Sequence, residues 1–129
     1  MQISRTGIIL NTEKFDDCVT FYRTLFGLPV MFHESDGDFR LTCLEFGGSY
    51  LMIETGGIAK SGEKSISENS TKLRFNVADI DAALAKVTAF GIAANVQKTD
   101  WGSTIDIHDP DGNRIGIRDE PSFVKQFNS

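Results

Sequence analysis

The chain has 129 residues, 40% of them hydrophobic and 24% charged, and a formal net charge of −5. That length bounds it to one compact domain or two small modules sharing a core. The acidic balance excludes a general nucleic-acid binder, which needs a basic field to attract phosphates, and no window approaches the roughly 20 apolar residues of a membrane span.

The opening Met-Gln-Ile-Ser-Arg-Thr-Gly has no signal-peptide pattern. The expectation is a soluble cytoplasmic protein with neither nucleic acid nor membrane among its partners. An apolar run, Ile8-Ile9-Leu10, comes first. Phe15, Val19, Tyr22 and Phe26 then recur at helical spacing, which predicts a helix over residues 14–26. Gly27 stands where a helix stops, and Pro29 follows it. Strands are predicted at 29–33, 39–46 and 50–54, the first two separated by "SDGD" and the last two joined by a Gly47-Gly48 hairpin. Cys18 falls in the helical pattern and Cys43 in a strand, without CxxC spacing. Two buried reduced thiols are expected, with a disulfide or a reactive thiol as the alternative.

Residues 56–70, "GGIAKSGEKSISENS", have the composition of a linker. Beyond them the order repeats: a strand over 72–77, a helix over 80–90 closed by Gly91, then strands over 93–98, 103–108 and 113–118. "ILN" and "FGLPV" in the first half answer "RFNV" and "FGIAA" in the second. The chain therefore reads as an α+β fold of two βαβββ modules, 1–55 and 71–119, with 56–70 a linker and 120–129 a C-terminal tail. A unit of about 55 residues alone could scarcely bury a core, so the modules must pack together, within one chain or across a dimer.

A doubled βαβββ unit with "TFYRTLFGL" on its first helix and "DPDGN" before its last strand resembles the vicinal oxygen chelate superfamily of glyoxalases, bleomycin-resistance proteins and extradiol dioxygenases. The resemblance runs from about Ile3 to Asp119. It implies a curved mixed sheet around a cleft, helices on the outer face, and a homodimer. In metal-using members four side chains meet in that cleft, from the first and last strands of each module. By register those positions fall on Gly7, Glu54, Lys72 and Gly116. A divalent cation needs three or more protein donors. Only Glu54 is one, and Lys72 brings a positive charge, so no metal cofactor is expected. Asp106 and His108 together with Glu54 are a conceivable substitute set. Gly116 is expected to open room for something larger than an ion.

Strand alternation assigns the faces. Ile105, Ile107, Ile115 and Ile117, with Leu73, Phe75 and Val77, should pack against helices. Lys72, Arg74, Asn76, Thr104, Asp106, His108, Arg114, Gly116 and Arg118 go to the cleft side. In the first module Ile9, Tyr50, Met52 and Glu54 share that side, with Leu41 and Cys43 joining them across the hairpin. Trp101 could form a lip.

The candidate ligand-binding residues are therefore Tyr50, Met52, Lys72, Arg74, Trp101, Asp106, His108 and Arg118, with Glu54 as a candidate catalytic base. Two function classes remain open. One is a metal-free protein that binds a small anionic or amphipathic organic molecule at a dimer interface. The other is a lyase, isomerase or dioxygenase using Glu54 as base or in a rebuilt metal site. An accessory domain docking through "PSFVKQF" is a third reading.

Overall fold

The computed structural model describes residues 1–128. The chain divides into two compact units, Met1–Ser61 and Gly62 onward. The first contains β1 (Gly7–Thr12), α1 (Phe15–Thr20) running into a wider π-helical turn (Phe21–Leu25), β2 (Val30–Asp36), β3 (Phe39–Phe46) and β4 (Ser49–Thr55). Tight turns at Gly37 and at Gly47-Gly48, all with positive φ, fold β2, β3 and β4 into an antiparallel meander. β4 then lies parallel to β1, giving the order β1-β4-β3-β2. One face of this sheet packs on the helix. Leu44, Leu51 and Ile53 are fully buried there, as is Tyr22, beside Phe21 and Leu25. Each such side chain contributes about 1.5–3 kcal/mol on burial. The predicted helix over 14–26 is present but widens after Thr20, where Phe21, Tyr22 and Phe26 pack as an aromatic cluster. Cys18 and Cys43 are both buried, and neither forms a disulfide.

The second unit repeats the plan with β5 (Leu73–Val77), α2 (Ile80–Phe90), β6 (Gln97–Thr99), β7 (Gly102–His108) and β8 (Arg114–Asp119), in the order β5-β8-β7-β6. Asp79 caps α2 by accepting from the N–H groups of Asp81 and Ala82, and Gly91 ends it at φ 104°. Ile105, Ile107, Ile115, Ile117, Leu73 and Phe75 are buried with Val87 of α2, as their alternation demanded. The fold is thus α+β, with two four-stranded mixed sheets.

Three local differences have physical causes. Strand β6 covers only Gln97–Thr99, because ladder pairing with β7 begins at Gln97 opposite Thr104 and ends at the turn before Gly102. Residues 62–70 are not a bare linker: the Lys64 N–H donates to the Gly112 carbonyl, and Asn69 Nδ2 donates to Asn113 Oδ1, binding this segment to the "DPDGN" turn. The tail is a helix, α3 (Glu120–Asn128), rather than a loose end.

Helix α3 is held by Asp119, which accepts from the Ser122 hydroxyl, from the Ser103 N–H and from the Ser122 N–H. Those bonds, with the Arg118 charge adding to them, lower the carboxyl from its usual 3.8 to about 2. A depressed pKa contributes stability above the unfolded value, and that stability is lost as pH falls through the folded one. Acid should therefore weaken the protein between about pH 4 and about pH 2. Urea midpoints at both ends of that window should fall less in Asp119→Asn than in the parent, and equal falls would assign the loss to other carboxylates.

Candidate functional site

Each sheet has a second face, opposite its buried helix face, and the two carry different chemistry. On the first sheet, ladder register aligns Gly7 with Tyr50, Ile9 with Met52 and Cys43, and Glu54 with Asn11 and Leu41. Leu41 and Cys43 therefore join Met52 and Glu54, as the hairpin predicts. Glu54 is half-buried, and its carboxylate makes no hydrogen bond or ion pair among the described residues. Beside it, Leu41 and Met52 are apolar and Asn11, across β1, is polar. Burial pushes the Cys43 thiol up from its ordinary pKa, partly offset by Arg5.

Gly7 is a strand residue without positive φ, so its backbone does not demand glycine. Space does. A Cβ there would fall inside the Tyr50 ring, against its Cζ and Cε2. The tyrosine occupies the volume that a side chain at position 7 would need, an aromatic ring seated on a cross-strand glycine.

The second sheet repeats this logic with cations. Arg74, Gly116 and Asp106 stand in one row across β5, β8 and β7, and His108 faces Arg114, as the "DPDG" turn predicts. Gly116 is buried and also lacks positive φ. A Cβ on it would meet Nε of Arg74 at 3.1 Å, Cε of Lys72 at 3.1 Å and Cζ of Arg74 at 3.5 Å. The expected opening beside Gly116 is thus already occupied by two side chains of the same module. Lys72 continues past it to pair with Asp106, Nζ to Oδ1 at 2.9 Å.

The remaining candidates lie along the same sheet. Arg118 donates through Nη2 to the Trp101 carbonyl at 2.7 Å, and its guanidinium lies 5.4 Å from the Phe123 ring centroid. Arg114 Nη2 donates to the Asn69 carbonyl at 3.2 Å and more weakly to that of Ser70. The Nε atoms of Arg114 and Arg118 are buried and have no acceptor among the described residues. Trp101 is 71% exposed on the turn before β7, at the edge of a surface depression of about 450 Å³ shared with Ser122 and Lys125 of α3. His108 is exposed at the far end of β7.

One group was missed by sequence reading. Asp109, Asp111 and Asn113 are nearly fully buried. Asp109 accepts from the N–H groups of Asp111 and Asn113 and from Asn113 Nδ2, all at 2.9 Å. Lys64 reaches Asp111 Oδ2 at 2.8 Å. This polar knot anchors the start of β8, and with it Arg114 and Gly116. The pairing of Asp-x-Asp-x-Asn spacing with a lysine upstream was the only trace of it.

Of the four positions assigned to metal ligands by resemblance, only Glu54 offers a donor, and the other three do not fit an ion. One is sealed by the Tyr50 ring, one lies beneath Arg74 and Lys72, and Lys72 itself is a cation paired to an acid. Among the described residues, no three His, Cys, Asp or Glu side chains gather to hold an ion. No helix among them is long and apolar enough to cross a membrane.

A family model described as a glyoxalase-like domain matches residues 7–117. No curated protein matches the sequence. Among solved structures, the chain is similar to a lactoylglutathione lyase from Agrobacterium tumefaciens, at 18% identity and TM-score 0.68 over 93% of this chain and 96% of that one. It is similar to the fosfomycin resistance protein FosX from Listeria monocytogenes, at 13% identity and TM-score 0.73 over 92% and 94%. TnmS3, an antibiotic binding protein from Streptomyces sp. CB03234, is 21% identical with TM-score 0.69 over 92% and 98%. Likeness at these identities concerns the fold.

Proposed function

This chain belongs to the glyoxalase-like family, within the vicinal oxygen chelate superfamily, and we propose that it binds a small organic molecule, anionic or amphipathic, without a metal. The observation that carries the reading is the pair of filled glycine seats. Where metal-using members are expected to place ligands, this chain places an aromatic ring and two cations. On the second sheet the face carrying Arg74, Arg114 and Arg118 suits the charged part of such a molecule, and on the first sheet the face carrying Ile9, Tyr50 and Met52 is apolar. TnmS3, a fold neighbour, is an antibiotic binding protein, which is in keeping with such a role. The proposal includes a cytoplasmic homodimer. Ile9 is 54% and Phe32 42% exposed on one sheet face, apolar area that a second copy would cover.

A second reading is kept for one observation. Glu54 presents an unpaired carboxylate beside Leu41 and Met52, an arrangement that suits a metal-free general base. Metal analysis of the purified protein and a Glu54→Gln variant separate the readings. A binder should be free of stoichiometric metal, and the variant should change affinity by no more than about tenfold, that is about 1.4 kcal/mol. Turnover of any bound compound that vanishes in Glu54→Gln would replace the binder with an enzyme.

A further inference from the structure

The geometry points to Arg74, lying on Gly116, as the seat of a ligand oxyanion: its guanidinium takes the electrostatic role that a bound cation would otherwise fill. This deepens the metal-free reading above and rests on it. Gly116 needs no special backbone conformation, and glycine in a buried strand weakens packing, so its use here calls for a spatial reason. The missing Cβ leaves Nε and Cζ of Arg74 room to lie over the β8 backbone, where a Cβ would push Nε away by a few tenths of an ångström.

The charge arrangement makes this seat cationic. Lys72 is neutralised by Asp106. Arg74 has no hydrogen bond or ion pair among the described residues, so its whole donor fork is available. Arg114 and Arg118 flank it four residues apart on β8, and both donate to neutral main-chain carbonyls, although the Arg118 charge also acts on Asp119. Each also keeps a buried Nε without an acceptor. In a chain of net charge −5, three guanidiniums on one sheet face, with neither Arg74 nor Arg114 in an ion pair among the described residues, are a local exception. A planar guanidinium matches the two oxygens of a carboxylate, phosphonate or sulfonate in a bidentate fork, at charge-assisted strength. The ligand class is therefore an organic oxyanion whose apolar remainder lies outside the fork. Gly116 sets the position of the seat, since a side chain there would displace the guanidinium from it.

The test uses the whole protein and isothermal titration calorimetry with benzylphosphonate, its neutral counterpart benzyl alcohol, and inorganic phosphate. The parent should bind benzylphosphonate at least tenfold more tightly than benzyl alcohol, with phosphate weaker than benzylphosphonate but competing with it. Arg74→Ala should lose at least tenfold in affinity for benzylphosphonate. Gly116→Ala should lose severalfold while its melting temperature stays within about 3 °C, because its new contacts are flexible side-chain ends. Lys86→Ala, which removes a charge from the exposed side of α2, should bind as the parent does. Equal affinity of parent and Arg74→Ala for benzylphosphonate would overturn the oxyanion seat. Equal binding of benzyl alcohol and benzylphosphonate by the parent would also overturn it while leaving the metal-free binder standing. Absence of benzylphosphonate binding up to millimolar concentration would count against the seat as well. Stoichiometric metal in the purified protein would instead remove the reading on which the seat rests.

Discussion

Replacing Lys64 with methionine should destabilise the protein by about 3–5 kcal/mol, the usual cost of stripping one partner from a buried ion pair. The pair is unusually dry for one that joins an irregular segment to a turn. Lys64 is 15% exposed and Asp111 1%, with Nζ 2.8 Å from Oδ2. Methionine preserves the length and packing of the stem, and the main-chain bond from residue 64 to Gly112 would survive. What is lost is the ammonium that balances a carboxylate held in the interior. A second change, Asp111→Asn, should then restore part of the loss by removing the charge itself, a coupling that a double-mutant cycle measures directly. Urea titration provides each value. A loss below 1 kcal/mol for Lys64→Met would mean that water or other groups already compensate Asp111. Because the knot fixes the start of β8, the same variant should also lower affinity at Arg74, on the neighbouring strand β5 and in register with Gly116.

Ile115→Ala should cost about 2–5 kcal/mol, as large-to-small changes in a packed core do. Ile115 is fully buried and stands between Leu73 and Ile107 on the α2 side of the sheet. Its neighbour Gly116 projects to the other side, so two adjacent residues should behave oppositely. The isoleucine variant should lose stability, measured by its urea midpoint, without selective loss of oxyanion affinity in the folded protein. The Gly116→Ala variant should keep stability and lose affinity. If Ile115→Ala leaves the midpoint unchanged, the α2-facing layer is not the core that its burial indicates.

Much of this arrangement is legible in the letters, for a simple reason. Period-two alternation around "DPDG" assigns the faces of β7 and β8, and a four-residue turn sets the register that brings Asp106 opposite Gly116. The repeat of helix and strand signals gives the two βαβββ modules. The rest depends on partners distant in sequence. Tyr50 sits on Gly7 because β4 lies parallel to β1, a pairing across 43 positions that no local pattern specifies. Gly116 reads as an opening, but Arg74 and Lys72 come from β5 and its approach, more than forty residues earlier, and fill the space. Asp109, Asp111 and Asn113 have turn chemistry, which ordinarily means solvent. Their burial depends on Lys64 and Asn69 folding back from a segment whose composition reads as linker. The "DEPS" that opens α3 did carry a helix start, with Asp119 as cap and Pro121 in the first turn, yet the apolar spacing of Phe123 and Phe127 is too short to predict a helix alone.

The most direct test of metal-free binding is a calorimetric titration of the EDTA-treated, dialysed protein with Mn²⁺, Zn²⁺ and Ni²⁺, followed by benzylphosphonate in the presence and absence of each ion. The filled glycine seats predict no saturable metal binding below millimolar concentration and the same benzylphosphonate isotherm throughout. A stoichiometric micromolar metal site, or benzylphosphonate binding that appears only with metal present, would contradict it.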